Sequence, residues 1–237
     1  MLHGSYLSVH EAHDADDFRN AVIRFSGQLG FDTVSAVTVI DHPLAESDFI
    51  AVDNAPPAYR QSIDDPAHGR IDPVLQHCKH RSVPIIWDQD TYTTRGLGPL
   101  WETQAVHGYR TGVCLALHMP EGRHFVFGVD RVQALPRDPV TVTRMLADLQ
   151  LFAVHAQDAA LRLLVPAAAQ PERPSLTPRE LEVLRWTMEG RTAWDVGQVL
   201  GISERTAVLH ISNAMRKLGC PNKHQAVLKA LRLGLIR

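Results

Sequence analysis

The C-terminal part of the chain, residues 176–237, carries four helix start signals, each followed by a glycine. The first, Thr177-Pro178-Arg179-Glu180, has the form of a capping box with proline at the first helical position. Serine, threonine and asparagine favour helix starts, and glycine adopts the left-handed conformation that often ends a helix. The pairs of start and stop are Thr177 and Gly190, Thr192 and Gly201, Ser203 and Gly219, and Asn222 and Gly234. This pattern predicts four short helices.

The second and third of these helices are separated only by Gly201-Ile202-Ser203, a tight turn with one apolar residue. Such spacing is typical of a helix-turn-helix. The third helix also has an apolar stripe, which we expect to be buried against the other helices. The stripe consists of Ala207, Ile211, Ala214 and Leu218.

The opposite side of the third helix combines arginine with apolar and small polar side chains, which suits the major groove of double-stranded DNA. That side carries Arg205, Val208, Leu209, Ser212 and Arg216. The full set of residues predicted to bind DNA adds Thr192, Glu204, Thr206, Asn213 and Lys217. The alternative is a four-helix bundle with a solvated basic face. Charge favours DNA: residues 166–237 hold 11 basic and 6 acidic residues, whereas the whole chain has a net charge of −2.

Composition and motifs argue against several other classes of protein. The three cysteines are scattered, so we expect no disulfide framework and a reduced, cytoplasmic location. No apolar stretch is long enough to cross a membrane, and no secretion signal is recognisable. His77, Cys78 and His80 lack a second cluster with metal-ligand spacing, and Asp88 and Asp90 suit a solvated turn. Without a nucleophile motif or phosphate-binding loop, we expect neither an enzyme nor a cofactor.

The N-terminal unit, residues 1–165, mixes helical and strand periodicity. We expect helices over residues 16–29, 59–63, 73–80, 100–107 and 140–164, and strands over residues 33–40, 84–87, 112–118 and 124–129. The last two strands form a hairpin around Pro120-Glu121-Gly122. The predicted fold class is α+β: an α/β/α sandwich with an antiparallel sheet, then an all-α helix-turn-helix unit. A proline-rich linker, residues 166–175, separates the two.

The C-terminal unit resembles the DNA-binding domain of LuxR-family regulators along its whole length. The resemblance lies in Leu176-Thr-Pro-Arg-Glu-Leu-Glu-Val-Leu184, Gly190, Gly201-Ile-Ser-Glu-Arg-Thr206, His210-Ile-Ser-Asn213, Lys217-Leu218 and Asn222-Lys223. It implies a transcriptional regulator that binds an inverted-repeat DNA site as a homodimer. One departure is Val208 and Leu209, where the family usually has a lysine and an aromatic residue, so one phosphate contact is expected to be lost.

The N-terminal unit resembles the acyl-homoserine-lactone-binding domain of quorum-sensing regulators. Arg70-Ile71-Asp72-Pro73 is followed by Trp87, and Trp101 and Gly112 also match the family pattern. The resemblance implies a small amphiphilic ligand, with Asp72 accepting a hydrogen bond from its amide N–H and Trp87 packing on a small ring. Ordinary alternatives are that Asp72 caps the helix that begins at Pro73, and that Trp87 is a core residue.

Four further positions expected to bind the ligand depart from that family's pattern. Tyr59 replaces a tryptophan, Ile63 an aromatic residue, Ala55 a tyrosine, and Gly128 a serine or threonine. We therefore expect an acyl-homoserine lactone or a related, non-standard signal. The alternatives are a ligand-independent regulator whose pocket is filled by side chains, and an enzyme or lipid-binding protein that carries a DNA-binding unit as an anchor.

Overall fold

The computed structural model describes residues 6–41, 46–62, 66–166 and 174–237. The chain forms two compact units, of which the first ends at Pro166 and the second includes residues 167–237. The described part of the first unit contains a sheet and eight helices, and that of the second contains four helices. This agrees with the predicted fold class. Most of the predicted linker, residues 167–173, lies outside the described residues.

A five-stranded sheet forms the centre of the N-terminal unit, with the spatial order β2-β1-β5-β4-β3 and antiparallel neighbours throughout. The strands are β1 (Thr33–Ile40), β2 (Asp48–Asp53), β3 (Ile85–Trp87), β4 (Thr111–Met119) and β5 (Arg123–Arg131). The predictions for β1, β3 and the β4–β5 hairpin are confirmed within a few residues. The strand β2 was not predicted; it lies at the edge of the sheet, and its Phe49 is 70% exposed.

Within the described residues, eight helices accompany the sheet in chain order. They are α1 (Leu7–His10), α2 (Ala15–Gln28), α3 (Pro57–Ser62), α4 (Pro66–Ile71), α5 (Pro73–His80), α6 (Gln89–Thr93), α7 (Gly98–Ala105) and α8 (Pro139–Leu163). The predicted long helices correspond to α2 and α8, and α3, α5 and α7 were also expected. The three missed helices, α1, α4 and α6, have four, six and five residues and are too short to show an apolar period.

The two faces of the sheet support separate clusters of buried side chains. On one face, Phe25 of α2 and Phe152 of α8 stack with ring centroids 3.8 Å apart, over Phe125, Phe127 and Val129 of β5. The alternate residues of β5 face the other side, because side chains alternate along a strand. There α5 and β3–β5 enclose a second cluster of Val74, Cys78, Trp87, Tyr92, Tyr109, Cys114 and Ala116. We call this second set the ligand-side cluster.

The C-terminal unit consists of α9 (Pro178–Met188), α10 (Ala193–Leu200), α11 (Glu204–Leu218) and α12 (Lys223–Arg232). Each predicted start residue caps its helix by accepting a bond from a backbone N–H. Gly201 and Gly219 have φ angles of 65° and 62°, as predicted for the stops. In α10, a Cβ at Gly197 would lie 2.8 Å from Ile202 O, so glycine permits the close approach of the turn before α11.

Candidate ligand-binding site and nucleic-acid interface

Asp72 sits at the N-terminus of α5 and caps it. Its Oδ1 accepts hydrogen bonds from Val74 N at 2.8 Å and Leu75 N at 2.9 Å. Pro73 occupies the first position of the helix, where a missing N–H costs nothing. The structure therefore shows the alternative in which Asp72 caps the helix that begins at Pro73. This cap uses only one of the two carboxylate oxygens.

The other oxygen of Asp72 faces the ligand-side cluster. Tyr92, a fully buried residue of α6, donates its phenol to Asp72 Oδ2 at 3.0 Å. Burial raises the pKa of Asp72, while the hydrogen bonds from Leu75, Tyr92 and Val74 oppose that rise. A carboxylate oxygen can accept more than one hydrogen bond, so Asp72 Oδ2 retains capacity for a further donor.

Trp87 and Gly112 belong to a row of paired residues that crosses four strands. The row is Trp87 on β3, Gly112 on β4, Asp130 on β5 and Thr33 on β1. Directly paired residues point to the same face of a sheet. A Cβ on Gly112 would lie 2.9 Å from Trp87 Nε1 and 2.5 Å from Asp130 Oδ1. The missing side chain of Gly112 thus lets the indole and the carboxylate approach each other.

Two tyrosines close one side of this cluster. The rings of Tyr59, on α3, and Tyr109 stack with their centroids 3.8 Å apart. Burial raises the pKa of both phenols, and the nearby carboxylate of Asp130 adds to the rise. Both hydroxyls therefore remain protonated at neutral pH and can donate hydrogen bonds.

The structure brings most of the predicted ligand-binding residues together. Ala55, Tyr59 and Trp101 pack against the ligand-side cluster, and Trp87, which is 4% exposed, is part of it. Gly128 lies beside Cys114, whose Sγ would be 3.7 Å from a Cβ at that glycine. Ile63 lies outside the described residues. Their role in binding a ligand remains a prediction.

Four polar residues of this region were missed by the sequence analysis: Tyr92, Gln104, Tyr109 and Asp130. Asp130 had a detectable signal, since it follows Val126 and Gly128 on the face of β5 opposite the phenylalanines. Its burial raises its pKa to about 8, although the Thr33 hydroxyl favours the charged form. The other three lie on or after short helices, where the sequence has no clear period.

In the C-terminal unit, α11 presents the predicted polar and apolar face to solvent. Besides Thr192 and Lys217, the exposed members of the predicted set are Glu204, Arg205, Val208, Leu209, Ser212 and Arg216, and Thr206 and Asn213 are half-buried. The opposite stripe is buried at Ala207, Ala214 and Leu218 and partly buried at Ile211. The separation of the two faces agrees with the periodicity of the sequence, and contact of the exposed face with DNA remains a prediction.

Two other members of that set make bonds within the C-terminal unit. Lys217 Nζ donates to Glu180 Oε2 at 2.8 Å, and the Glu180 side chain is only 4% exposed. Burial alone would raise the pKa of Glu180, but hydrogen bonds from Lys217 and Thr177 outweigh it and lower the pKa. Thr192 caps α10 by a reciprocal pair of bonds with Asp195. Both residues therefore have a structural role.

The residues weighed as metal or catalytic groups make local contacts. Asp88 caps α6, with Oδ1 accepting from Thr91 N at 3.3 Å, so the turn predicted there is the start of a short helix. A ring nitrogen of His77 lies 2.7 Å from Val83 O, and Cys78 Sγ lies 3.4 Å from Cys114 Sγ.

None of the helices described is both long and apolar enough to cross a membrane.

Both units match known protein families. Residues 14–160 match the family described as autoinducer binding domain, and residues 174–230 match bacterial regulatory proteins, luxR family. The transcriptional activator SolR of Ralstonia solanacearum is 31% identical over 236 residues, which cover 98% of this chain and 97% of SolR. The regulatory protein SdiA of Escherichia coli is 32% identical over 166 residues, 70% of this chain and 68% of SdiA.

A solved structure of a relative shares the fold. SdiA in complex with octanoyl-rac-glycerol aligns with a TM-score of 0.72 and 26% identity, covering 98% of this chain and 93% of that one. By name, SolR is a transcriptional activator and SdiA is a regulatory protein.

Proposed function

This chain belongs to the LuxR family of quorum-sensing transcriptional regulators, with an autoinducer-binding domain before a DNA-binding helix-turn-helix. From this premise we propose that a small acylated amide binds in the ligand-side cluster, stabilises the N-terminal unit, and sets the DNA-binding competence of a homodimer. The dimer binds an inverted-repeat site through the exposed face of α11.

The observation that carries this proposal is the environment of Asp72. One oxygen of its carboxylate is committed to the cap of α5 and the other to the phenol of Tyr92, which packs against Trp87, and the carboxylate also acts on the pKa of Tyr59. Burial disfavours its charge, so an added N–H donor from a ligand stabilises it. A ligand that binds only the folded state raises the free energy of unfolding, which links ligand and fold.

The ligand belongs to the acyl-homoserine lactones or to acylated compounds related to them. Ala55 leaves more room in the site than a tyrosine, and Tyr59 presents a hydroxyl from a different point than an indole N–H. These changes favour a branched or aromatic acyl group over a simple straight chain. The SdiA structure with an octanoyl glycerol supports the idea that this fold accommodates an acyl ligand without a lactone ring.

Dimer formation is proposed to involve α8. This 25-residue helix buries Leu149, Phe152 and four alanines between residues 153 and 160 in the core, and it exposes Val140, Leu151 and Val154, each about half accessible. Exposed apolar residues on one helix favour contact with a partner surface. A dimer would present two copies of α11 to two half-sites about one helical turn of DNA apart.

The test uses the full-length protein and a panel of straight, branched and aromatic acyl-homoserine lactones. We expect one class of acyl chain to raise the melting temperature and to tighten binding to an inverted-repeat DNA, and Asp72→Asn to lose most of both effects. Asp88→Asn is the control, because it makes the same substitution at an exposed cap outside the cluster. No response to any compound, together with ligand-free DNA binding, would favour the ligand-independent alternative.

A further inference from the structure

The ligand-side cluster contains a second buried carboxylate, Asp130, which the proposed function does not use. Asp130 is 7% exposed and lies at the end of β5, one strand away from Gly112. Its carboxylate shares the space over Gly112 with Trp87 Nε1 and acts on the pKa of both Tyr59 and Tyr109. It therefore belongs to the same polar region as Asp72.

No cation balances this carboxylate among the described ion pairs. The neighbouring Arg131 turns away, donating Nε to Gln133 O at 2.9 Å. The surroundings of Asp130 are a threonine hydroxyl, two phenols, an indole and a second carboxylate, Asp72, which raises its pKa further. With a pKa of about 8, Asp130 is mostly protonated at neutral pH, and its carbonyl oxygen can still accept a hydrogen bond from a ligand donor.

Gln104 provides an independent indication that a ligand is expected here. It lies at the end of α7, is 7% exposed, and its Nε2 has no hydrogen-bond partner within the described part of the chain. This amide lies near the Tyr92 phenol and opposes the rise of its pKa, but it does not meet hydrogen-bond geometry there, so Nε2 stays unsatisfied. A buried amide N–H without a partner costs about 1–3 kcal/mol, so an acceptor from a ligand would remove that cost.

We propose that Asp130 and Gln104 form a second set of polar contacts in the site. The ligand that fits these contacts has a head group with an additional hydrogen-bond donor next to a carbonyl. Asp72 takes the N–H of the acyl amide, Asp130 takes the second donor, and Gln104 Nε2 donates to the carbonyl. This inference rests on the proposed function and narrows the class of ligand.

A homoserine lactone does not meet this requirement. Its only hydrogen-bond donor is the amide N–H, which is already assigned to Asp72, and its ring oxygen only accepts. The corresponding lactam has the same ring size and replaces that oxygen with an N–H. A pair of acyl lactone and acyl lactam with one acyl chain therefore differs in the single group that Asp130 would recognise.

The experiment measures dissociation constants of the full-length protein for three such pairs, with octanoyl, 3-methylbutanoyl and benzoyl chains. With the chain that binds best, we expect the lactam to bind about tenfold more tightly than the lactone, as one added hydrogen bond to a buried carboxyl group implies. Asp130→Val should abolish this preference. Gln104→Leu should weaken both ligands to a similar degree and leave the ratio unchanged, because both carry the carbonyl.

The outcomes separate this inference from the proposed function. Equal binding of lactone and lactam, or a tighter lactone, overturns the inference and leaves the proposed function intact. A lactam preference that persists in Asp130→Val also overturns the role of Asp130. Failure of all six compounds to bind overturns the ligand class on which both rest. If Asp130→Val does not fold, the lactam-to-lactone ratio of the unaltered protein still decides.

Discussion

Tyr92 donates its phenol to Asp72 Oδ2 at 3.0 Å, while Asp72 Oδ1 caps α5. The Asp72 carboxylate therefore fixes the position of the short helix α6 relative to the start of α5. Any ligand that bonds to Asp72 acts on a group that already fixes the position of two elements around the site.

Loss of this phenol should destabilise the N-terminal unit. Tyr92→Phe keeps the ring in the cluster but removes a hydrogen bond to a buried carboxylate, so we expect the free energy of unfolding to fall by about 1–3 kcal/mol. Urea denaturation of the full chain measures it. Tyr6→Phe, at a half-buried tyrosine stacked on His155, is the control and should change stability by less. Equal stability of Tyr92→Phe and the unaltered protein would contradict the structural role of the bond.

Gly112 and Gly128 form a matched pair of substitutions on neighbouring strands. A Cβ at Gly112 would collide with Val129 O and approach Asp130 Oδ1 within 2.5 Å, whereas a Cβ at Gly128 meets only Cys114 Sγ, at 3.7 Å. We expect Gly112→Ala to lower stability by about 2 kcal/mol or more and Gly128→Ala to be tolerated. Melting temperatures and soluble yield measure the difference, and similar values for the two variants would contradict the close approach over Gly112.

The buried carboxyl of Asp130 should make stability fall with rising pH. Its folded pKa is about 8, against 3.8 for an ordinary aspartate, so the folded state binds the proton more strongly in this interval. The free energy of unfolding therefore decreases from about pH 4 to about pH 8 and then levels off. The Asp130→Asn variant has no proton to lose at this position. The difference between its free energy of unfolding and that of the unaltered protein should therefore shift in favour of the variant as the pH rises from about 4 to about 8.

Urea midpoints at about pH 5 and about pH 9 measure this effect. Asp138→Asn is the control, since Asp138 is an exposed cap whose pKa is already lowered by Thr141 and it stays ionised throughout. A constant difference between Asp130→Asn and the unaltered protein over the window would refute the assignment.

The exposed face of α11 is expected to contact DNA through Arg205 and Arg216. Alanine at either position should weaken binding to the inverted-repeat site by about 1–3 kcal/mol if the arginine contacts a guanine. Affinity should also fall steeply with salt, because phosphate contacts release counterions. Arg232→Ala on α12 removes the same charge elsewhere and serves as control. Unchanged affinity in the Arg205 and Arg216 double variant would exclude this face.

The bond between Lys217 and Glu180 should matter more for stability than an exposed ion pair of similar length. Lys217→Met leaves a buried carboxylate without its cation, and we expect a loss of about 2–3 kcal/mol, since Lys217 is partly exposed. Glu182→Gln breaks the exposed pair with Arg179, also 2.8 Å long, and should cost less than about 0.5 kcal/mol. Because the pKa of Glu180 is lowered, the contribution of its pair exists at neutral pH and is lost on acidification.

The sequence predicted elements whose signals are local. Thr33–Ile40 is rich in β-branched residues and forms β1 with those limits. Each helix of the C-terminal unit begins at its predicted capping residue and ends at the predicted glycine or one residue before it. Strand β2 was missed because it lies at the sheet edge with Phe49 exposed, so its residues do not follow the pattern of a buried face.

The site was only partly predictable for a related reason. Asp72 and Trp87 belong to a motif, but their neighbours come from distant segments: Tyr92 reaches Asp72 from α6, and Asp130 reaches the space over Gly112 from β5. These contacts between distant segments depend on the register with which the strands pair. A single sequence does not specify that register through isolated polar residues.

The self-contained caps of the C-terminal unit affect how the chain assembles during synthesis. Helices that start and stop within their own residues form from local contacts, which are fast to make. The sheet of the N-terminal unit must instead join Thr33 to Asp130, far apart along the chain. The ribosome delivers the slowly assembling half first and the rapidly assembling half last. Because the N-terminal unit is synthesised first, its sheet has more time to form before synthesis ends. A fusion with the two units in reversed order would lose that additional time.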